Sequence, residues 1–349
     1  MQTDFIIVGQ GIAGTMLSWF LLQEGKSVQV FDVEKPNSSS RVAAGIINPV
    51  SGRKFELAWM YDTFYPFALE TYRKMEKSLG ISCFTERDIL HVWPSEQMRD
   101  AFVKRQNTAP QNAYFKTAAD ADTEHLFHQP LGTARVQGAT VNLGALLPAW
   151  RQHLKSLGCL HEEKVDVMQL AMDGDCLKYK DITANYVIFC EGADIADNYY
   201  LNEIQFLLNK GEALLIKAPG LDNQQIVKKS ITLVPQGNDL YWAGSNFDWD
   251  FEDATPGDNQ RKELESSLQE LLKVPFTVED HVAAIRPSTK NRRPAVGLHP
   301  TVPQLGVLNG LGTKGCSLAP YLAWLFAQNL VKETPMLPET DIKRYFNAP

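Results

Sequence analysis

Asp4-Phe5-Ile6-Ile7-Val8-Gly9-Gln10-Gly11-Ile12-Ala13-Gly14 is the stretch on which the reading of this chain turns. Asp4 to Val8 is a short apolar run, as a buried parallel strand requires. From Gly11 to Gln23 the apolar residues recur at helical spacing, and Ile12, Met16, Leu17, Phe20 and Leu21 share a face. Gly25 ends that helix, and Ser27 to Phe31 forms the next strand. The result is a βαβ unit with a GxGxxG turn between strand and helix. Gly9 permits the tight turn, Gly11 lets the backbone approach a pyrophosphate, and Gly14 lets helix and strand pack closely. The helix start at Ile12 and Ala13 offers unpaired N–H groups and a positive partial charge. Asp32, followed by Val33, ends the second strand 18 residues after Gly14. That is near the ~20-residue spacing at which an acid accepts hydrogen bonds from an adenosine ribose. A plain βαβ unit with glycines for packing is the competing reading, and it does not explain the placed acid.

Working outward, the 349 residues suffice for two domains. An apolar content of 44% and a charged content of 21% are those of an ordinary globular protein. No apolar run reaches the roughly 18 residues of a membrane span; the longest candidate, Tyr321 to Val331, is interrupted by Gln328 and Asn329. The strand-like run from Phe5 leaves no room for a charged leader, so a cytoplasmic protein without membrane partners is expected. The five cysteines (Cys83, Cys159, Cys176, Cys190 and Cys316) form no CxxC pair and read as reduced thiols. His125 and His128 lack a third ligand nearby, so no metal is expected. A net charge of −7 disfavours nonspecific contact with nucleic acid, and nothing in the sequence sets the oligomeric state.

Further α/β units follow. Glu56 to Leu79 reads as one or two helices interrupted near Pro66, Asp88 to Trp93 as a strand, and Ser95 to about Gln106 as a helix before a polar stretch. Asn142 to Leu157 reads as a helix capped by Asn142, with strands at about Glu163 to Leu170 and Tyr186 to Cys190. Between Asn209 and Phe251 strands follow without helices, and Phe247, Trp249 and Phe251 alternate with Asp248, Asp250 and Glu252 as in a strand with one wet face. Asn259 to Leu272 is a helix, Val302 to Leu308 a strand, and Cys316 to Val331 a final helix. The fold class expected is α/β: a Rossmann-type domain over 1–80, 138–203 and 284–349, with a discontinuous α+β substrate domain on an antiparallel sheet over 81–137 and 204–283.

The fingerprint alone does not choose between NAD and FAD. A second GxGxxG, Gly310-Leu311-Gly312-Thr313-Lys314-Gly315, also opens a helix, but no later strand carries an acid. This helix start is expected to face the same cofactor elsewhere, where its dipole stabilises negative charge. A glycine-rich turn made for packing is the alternative.

Four segments give the chain its resemblance to the flavin-dependent D-amino-acid oxidase superfamily, which includes glycine and sarcosine oxidases. They are the fingerprint with Asp32, Ser40-Arg41-Val42-Ala43-Ala44-Gly45-Ile46-Ile47-Asn48-Pro49, Ile188-Phe189-Cys190-Glu191-Gly192-Ala193, and Ile285-Arg286-Pro287-Ser288-Thr289 with Gly310 to Pro320. The resemblance implies non-covalent FAD and oxidation of a C–N bond in a small amino acid or amine, with dioxygen or another acceptor taking the electrons. It places Ser40, Arg41, Ala44, Gly45 and Ile46 beneath pyrophosphate and flavin, Val165 at the adenine, Cys190 and Gly192 in a second nucleotide-contacting turn, and Gly310, Gly312, Thr313, Lys314 and Gly315 at the flavin. Arg286 matches the family arginine that grips a substrate carboxylate, work suited to a planar guanidinium; a structural ion pair is the alternative for it.

Thr232 stands where several family members have a Tyr before their Val-Pro, so an aromatic substrate contact is absent there. Tyr241 is a candidate substitute, with core packing as its alternative. Glu191 puts an acid where the family commonly has a small residue. Lys314 would stabilise the reduced flavin or the substrate carboxylate, unless it is simply exposed. The Gly310–Gly315 segment and Gly244-Ser245-Asn246-Phe247 are similar to the FAD domain of the bifunctional enzyme that modifies wobble uridine in tRNA. That likeness keeps a stand-alone tRNA-modifying oxidase as an alternative, with Lys290, Arg292 and Arg293 as phosphate contacts or a solvated loop. A non-catalytic flavoprotein module is the third possibility.

Overall fold

The computed structural model describes residues 1–108, 111–116, 123–221 and 224–346. Part of the polar stretch after Gln106 lies outside them. At the centre of the first sheet the strand Gln2–Val8 pairs in parallel with Val28–Phe31 on one side and Ile182–Phe189 on the other. Leu160–His161 and Leu305–Asn309 extend this parallel core outward. Ala171–Asp173, Cys176–Tyr179 and Ala295–Leu298 add an antiparallel fringe. Side chains of the first strand alternate between two cores, Phe5 and Ile7 into one, Ile6 and Val8 into the other. Burial on both sides is why the strand reads as a continuous apolar run.

The helix Ile12–Gln23 follows at once. Ile12 to Leu21 are all buried, not one face of them, because the helices Gly315–Lys332 and Leu143–Ser156 pack against it from outside. The Leu143–Ser156 helix starts where Asn142 predicts: its Oδ1 accepts the Ala145 N–H at 3.0 Å. Ser95 caps Glu96–Gln106 in the same way, accepting from Met98 N at 3.3 Å.

The second sheet runs in the order Thr277–Thr289, Phe206–Lys217, Leu240–Gly244, Thr232–Gly237, Ile226–Lys228, Phe84–Val92, Thr133–Val141 and Ile46–Ile47. All pairings along it are antiparallel except that of Ile226–Lys228 with Phe84–Val92. One face, with Leu90, Leu214, Ile216, Leu233 and Ala243, packs on the helix Asp258–Leu271. The other face, with Ile89, Ile226, Val234 and Trp242, meets Ala44 and Ile46. Thr133–Val141 and Thr277–Thr289 lie wholly in this sheet, running through the boundaries expected at 138 and 284.

Three local expectations are corrected. Glu163 to Leu170 is not a strand: the pairing segment is Leu160–His161, and Asp166 turns the chain into a 3-10 turn by accepting the Met168 N–H at 3.1 Å. The helix Tyr61–Leu79 continues through Pro66, and the residues before it form the short strand Glu56–Leu57. Phe247 to Glu252 is a loop whose backbone pairing within 247–252 is one bridge from Asp248 to Lys210, leaving Phe247 and Trp249 each 62% exposed.

A candidate nucleotide cleft between two sheets

The GxGxxG turn is held by close backbone packing. Gly9 adopts φ +99°, and a Cβ there would lie 2.4 Å from the Cys190 carbonyl oxygen. A Cβ on Gly14 would lie 1.8 Å from the Gly9 oxygen, so Gly14 sits behind the turn and allows the helix to start against it. Gly9, Gly11, Ile12 and Ala13 face a cleft enclosing about 1870 Å³, its open mouth included. Its lining runs from Gly9 and Asp32 to Arg286 and Gly312, so one cleft spans the glycine turn and the arginine. No side chain of its own caps this helix; the Ile12 N–H is taken by Ser40 Oγ at 3.0 Å.

Asp32 lines the cleft, with Val33 at its mouth. Its carboxylate accepts Gln10 N at 2.9 Å, Glu34 N at 2.7 Å and Arg151 Nη1 at 2.8 Å. A carboxylate has about four acceptor positions, so roughly one is left for a ribose hydroxyl. Arg151, 3% exposed, also donates to the Asp32 carbonyl and to Glu162. Sequence reading missed it. The signal was a charge at helical spacing among Leu147, Trp150 and Leu154, where only a paired arginine is tolerated.

Ser40, Arg41, Ala44, Gly45 and Ile46 line the same cleft where the chain crosses from one sheet to the other. The crossing is pinned at Val42, whose carbonyl accepts Trp242 Nε1–H at 3.0 Å, and at Gly45, whose carbonyl accepts Val141 N–H at 2.8 Å. Arg41 pairs through Nη1 with Glu34 at 3.4 Å, while its Nη2 is buried without a hydrogen-bond partner, an unused cationic donor on the cleft wall. Val165, Cys190 and Gly192 close the other side. Beside them the Glu191 carboxyl is pushed up to about 7, chiefly by burial, while Asn198 Nδ2 donates to it at 2.8 Å.

Arg286, from the Thr277–Thr289 strand, reaches the cleft across Gly211, where a Cβ would lie 1.6 Å from its Nη2. It donates to Asn209 Oδ1 at 2.6 Å, Ser245 Oγ at 2.6 Å and the Asn246 carbonyl at 3.3 Å, and its guanidinium lies 4.8 Å from the Phe247 ring centre. These partners are neutral, and among the described residues no carboxylate pairs with it. Burial lowers it to about 10, which leaves it charged at neutral pH with about two of its five N–H donors unused.

Gly312, Thr313 and Gly315 line the cleft, whereas Gly310 packs on Thr289 behind it. The Lys314 side chain is half-buried, and burial together with Lys228 pulls its ammonium down to about 8. Tyr241 is corrected: it belongs to the core under the opposite face of the sheet, and its hydroxyl donates to the Leu221 carbonyl. Side chains alternate faces along a strand, so the neighbour Trp242, not Tyr241, lines the cleft.

A parallel dinucleotide sheet joined through an Ala-Ala-Gly crossing to an antiparallel sheet that presents an arginine defines a flavin-dependent oxidoreductase. Residues 4–329 match the family described as FAD dependent oxidoreductase (DAO), and the chain belongs to it. Glycine oxidase of Bacillus subtilis (strain 168) is 22% identical over 350 residues, covering 91% of this chain and 90% of that protein. The glycine oxidase structure from Geobacillus kaustophilus superposes with a TM-score of 0.81 at 20% identity, covering 96% of each chain. An iminodiacetate oxidase from Chelativorans sp. BNC1 superposes with a TM-score of 0.77 at 18% identity, covering 98% of each. The protein is an FAD-dependent enzyme, and the glycine turn, the orphaned Arg41 nitrogen and the helix start fit that cofactor. Among the described residues no helix is long and apolar enough to cross a membrane.

Proposed function

We propose that the protein oxidises the C–N bond of a small amino acid or a secondary amine bearing a carboxylate. The observation that carries this reading is Arg286: a half-buried guanidinium on the cleft wall, positioned by neutral partners and lacking an anion among the described residues. Such a group binds a carboxylate in a fixed orientation, which decides which C–H of the substrate faces the cofactor. Bound FAD supplies the acceptor for the hydride released from the carbon beside the amine nitrogen. Asn209 and Ser245 hold the arginine, so the carboxylate meets a rigid fork. Lys314 adds positive charge at the start of the Gly315–Lys332 helix, where its dipole has the same sign. The relatives whose names specify glycine and iminodiacetate support the same class of substrate.

Anaerobic mixing of the purified FAD-loaded protein with glycine, sarcosine, D-amino acids, proline analogues and iminodiacetate tests the reading. Bleaching of the flavin band by at least one of them is expected. If none reduces the flavin at millimolar concentration, the reading is wrong.

A pH dependence follows from Lys314. Its ammonium is charged below about 8 and neutral above it. An anion in contact favours the charged form, so affinity is highest below that pH and falls as pH rises through it. Acetate, read from the flavin absorption spectrum, is expected to bind about fivefold more weakly at pH 9.5 than at pH 7. The Lys314→Met protein is expected to show a flat profile over that range; an unchanged slope would remove Lys314 from the anion site.

A further inference from the structure

We propose that Lys210 and Glu212, a buried ion pair on the back of the second sheet, are positioning residues for the Arg286 clamp and act on it through the loop at 245–257. This rests on the reading of Arg286 as the grip on a substrate carboxylate. Side chains alternate faces along the Phe206–Lys217 strand. Asn209 and Gly211 stand on the side of Arg286 and the cleft, so Lys210 and Glu212 point the other way, with Leu214, toward the Asp258–Leu271 helix. There Glu212 is fully buried, with Lys210 Nζ 3.0 Å from its Oε1 and His281 Nε2 2.9 Å from its Oε2. Oε2 also accepts the Gly257 N–H at 2.8 Å, at the positive end of that helix.

Residues 245–257 form neither strand nor helix, and Ser245 and Ala254 from this loop line the cleft. The stretch from Asn209 to Glu212 stitches the loop down. The Glu212 N–H donates to Asn246 Oδ1 at 2.7 Å, and Lys210 and Asp248 exchange backbone hydrogen bonds at 2.9 Å. Asn209 Nδ2 donates to the Asp248 carbonyl at 2.7 Å, and Lys210 Nζ to the Thr255 carbonyl at 3.2 Å. The same loop supplies two acceptors of the guanidinium, Ser245 Oγ and the Asn246 carbonyl, and lays the Phe247 ring against it. A third acceptor, Asn209 Oδ1, comes from the strand itself. The groups that aim Arg286 are thus tied to the strand segment that carries the ion pair.

A buried ion pair contributes little net stability, because desolvation offsets the attraction and apolar residues of the same volume do as well. What the charges add is geometry. A satisfied buried network fixes one arrangement where apolar contact allows several. A loop without ladder partners along most of its length gains most from that. The clamp needs it, since misplacing a substrate by about 1 Å is costly to the rate. Neither Lys210 nor Glu212 lines the cleft, so the pair acts on the substrate only through the loop and the guanidinium.

The test uses the FAD-loaded protein and acetate, with affinity read from the flavin spectrum. The double variant Lys210→Met, Glu212→Gln removes both charges and leaves neither buried alone. It is expected to keep its flavin content and to melt within about 5 °C of the wild type. Its affinity for acetate is expected to fall about tenfold, because the loop no longer fixes the guanidinium. Glu212→Gln alone, which keeps the side-chain shape but leaves Lys210 unpaired, is expected to lose acetate affinity to the same degree and serves if the double variant does not fold. Acetate affinity within about twofold of the wild type in a folded variant overturns the proposal. So does a parallel fall in flavin content, which is general loosening, or the failure of both variants to fold, which makes the pair structural. If the wild-type protein does not bind acetate, or Arg286→Leu binds it as well, the carboxylate grip itself fails, a result distinct from all of these.

Discussion

Replacing Arg286 with leucine is expected to lower the second-order rate constant for flavin reduction by about 10²–10³-fold, because removing the charged partner from a buried, hydrogen-bonded carboxylate contact costs roughly 3–4 kcal/mol. Leucine fills part of the volume but leaves the substrate carboxylate unpaired and its orientation free. Stopped-flow reduction, using whichever amine bleaches the flavin, reads the effect at low substrate concentration. Arg286→Leu reducing at the wild-type rate would falsify the clamp. A companion substitution separates charge from position. Gly211→Ala places a methyl 1.6 Å from where Arg286 Nη2 now lies, so the guanidinium must move while its charge remains. Its hydrogen bonds to Asn209 and Ser245 are then disturbed. A loss of about tenfold or more is expected, since misplacing a positioning group by about 1 Å is itself costly.

Gly14→Ala is expected to yield protein with less than about a tenth of the wild-type flavin content, as a clash with main chain ranks among the severe substitutions. The added Cβ falls 1.8 Å from the Gly9 carbonyl oxygen, which is backbone and has no rotamer to escape into. Either the helix start withdraws from the strand or the Gly9 turn opens. Both move the N–H groups that would face a pyrophosphate. The ratio of flavin to protein absorbance after purification, with far-UV circular dichroism to report the fold, distinguishes loss of cofactor from loss of structure. Full flavin content in Gly14→Ala would mean that the turn is not the cofactor cradle.

The parts of the site legible in the sequence are those built from contiguous residues. The Gly9–Gly14 turn, the acid at Asp32 and the caps at Ser95 and Asn142 are local backbone chemistry, and each needs only its immediate neighbours. The Thr133–Val141 and Thr277–Thr289 strands went unrecognised. The second carries Glu279, Asp280 and His281 in its first half and lies at the edge of the sheet, where one side is wet and composition loses its pattern. The alternation of Phe247, Trp249 and Phe251 misled in the opposite sense. Period two describes any extended segment, and only partner strands make it a sheet. Arg151 was hidden because its role depends on Asp32, 119 residues away.

By itself, then, the sequence pointed to a dinucleotide site at Gly9 to Gly14, and the resemblance carried by Ala44, Gly45 and Arg286 pointed to a flavin. Tertiary structure alone decided what surrounds the substrate. It put Tyr241 in the core and Trp242 on the cleft, and it left Arg286 with neutral partners. The reason is register. A glycine turn is specified by the steric limits of a few adjacent residues, whereas a substrate pocket is assembled from strands that meet only when the sheet forms, and a shift of one residue in any of them turns its side chains to the other face.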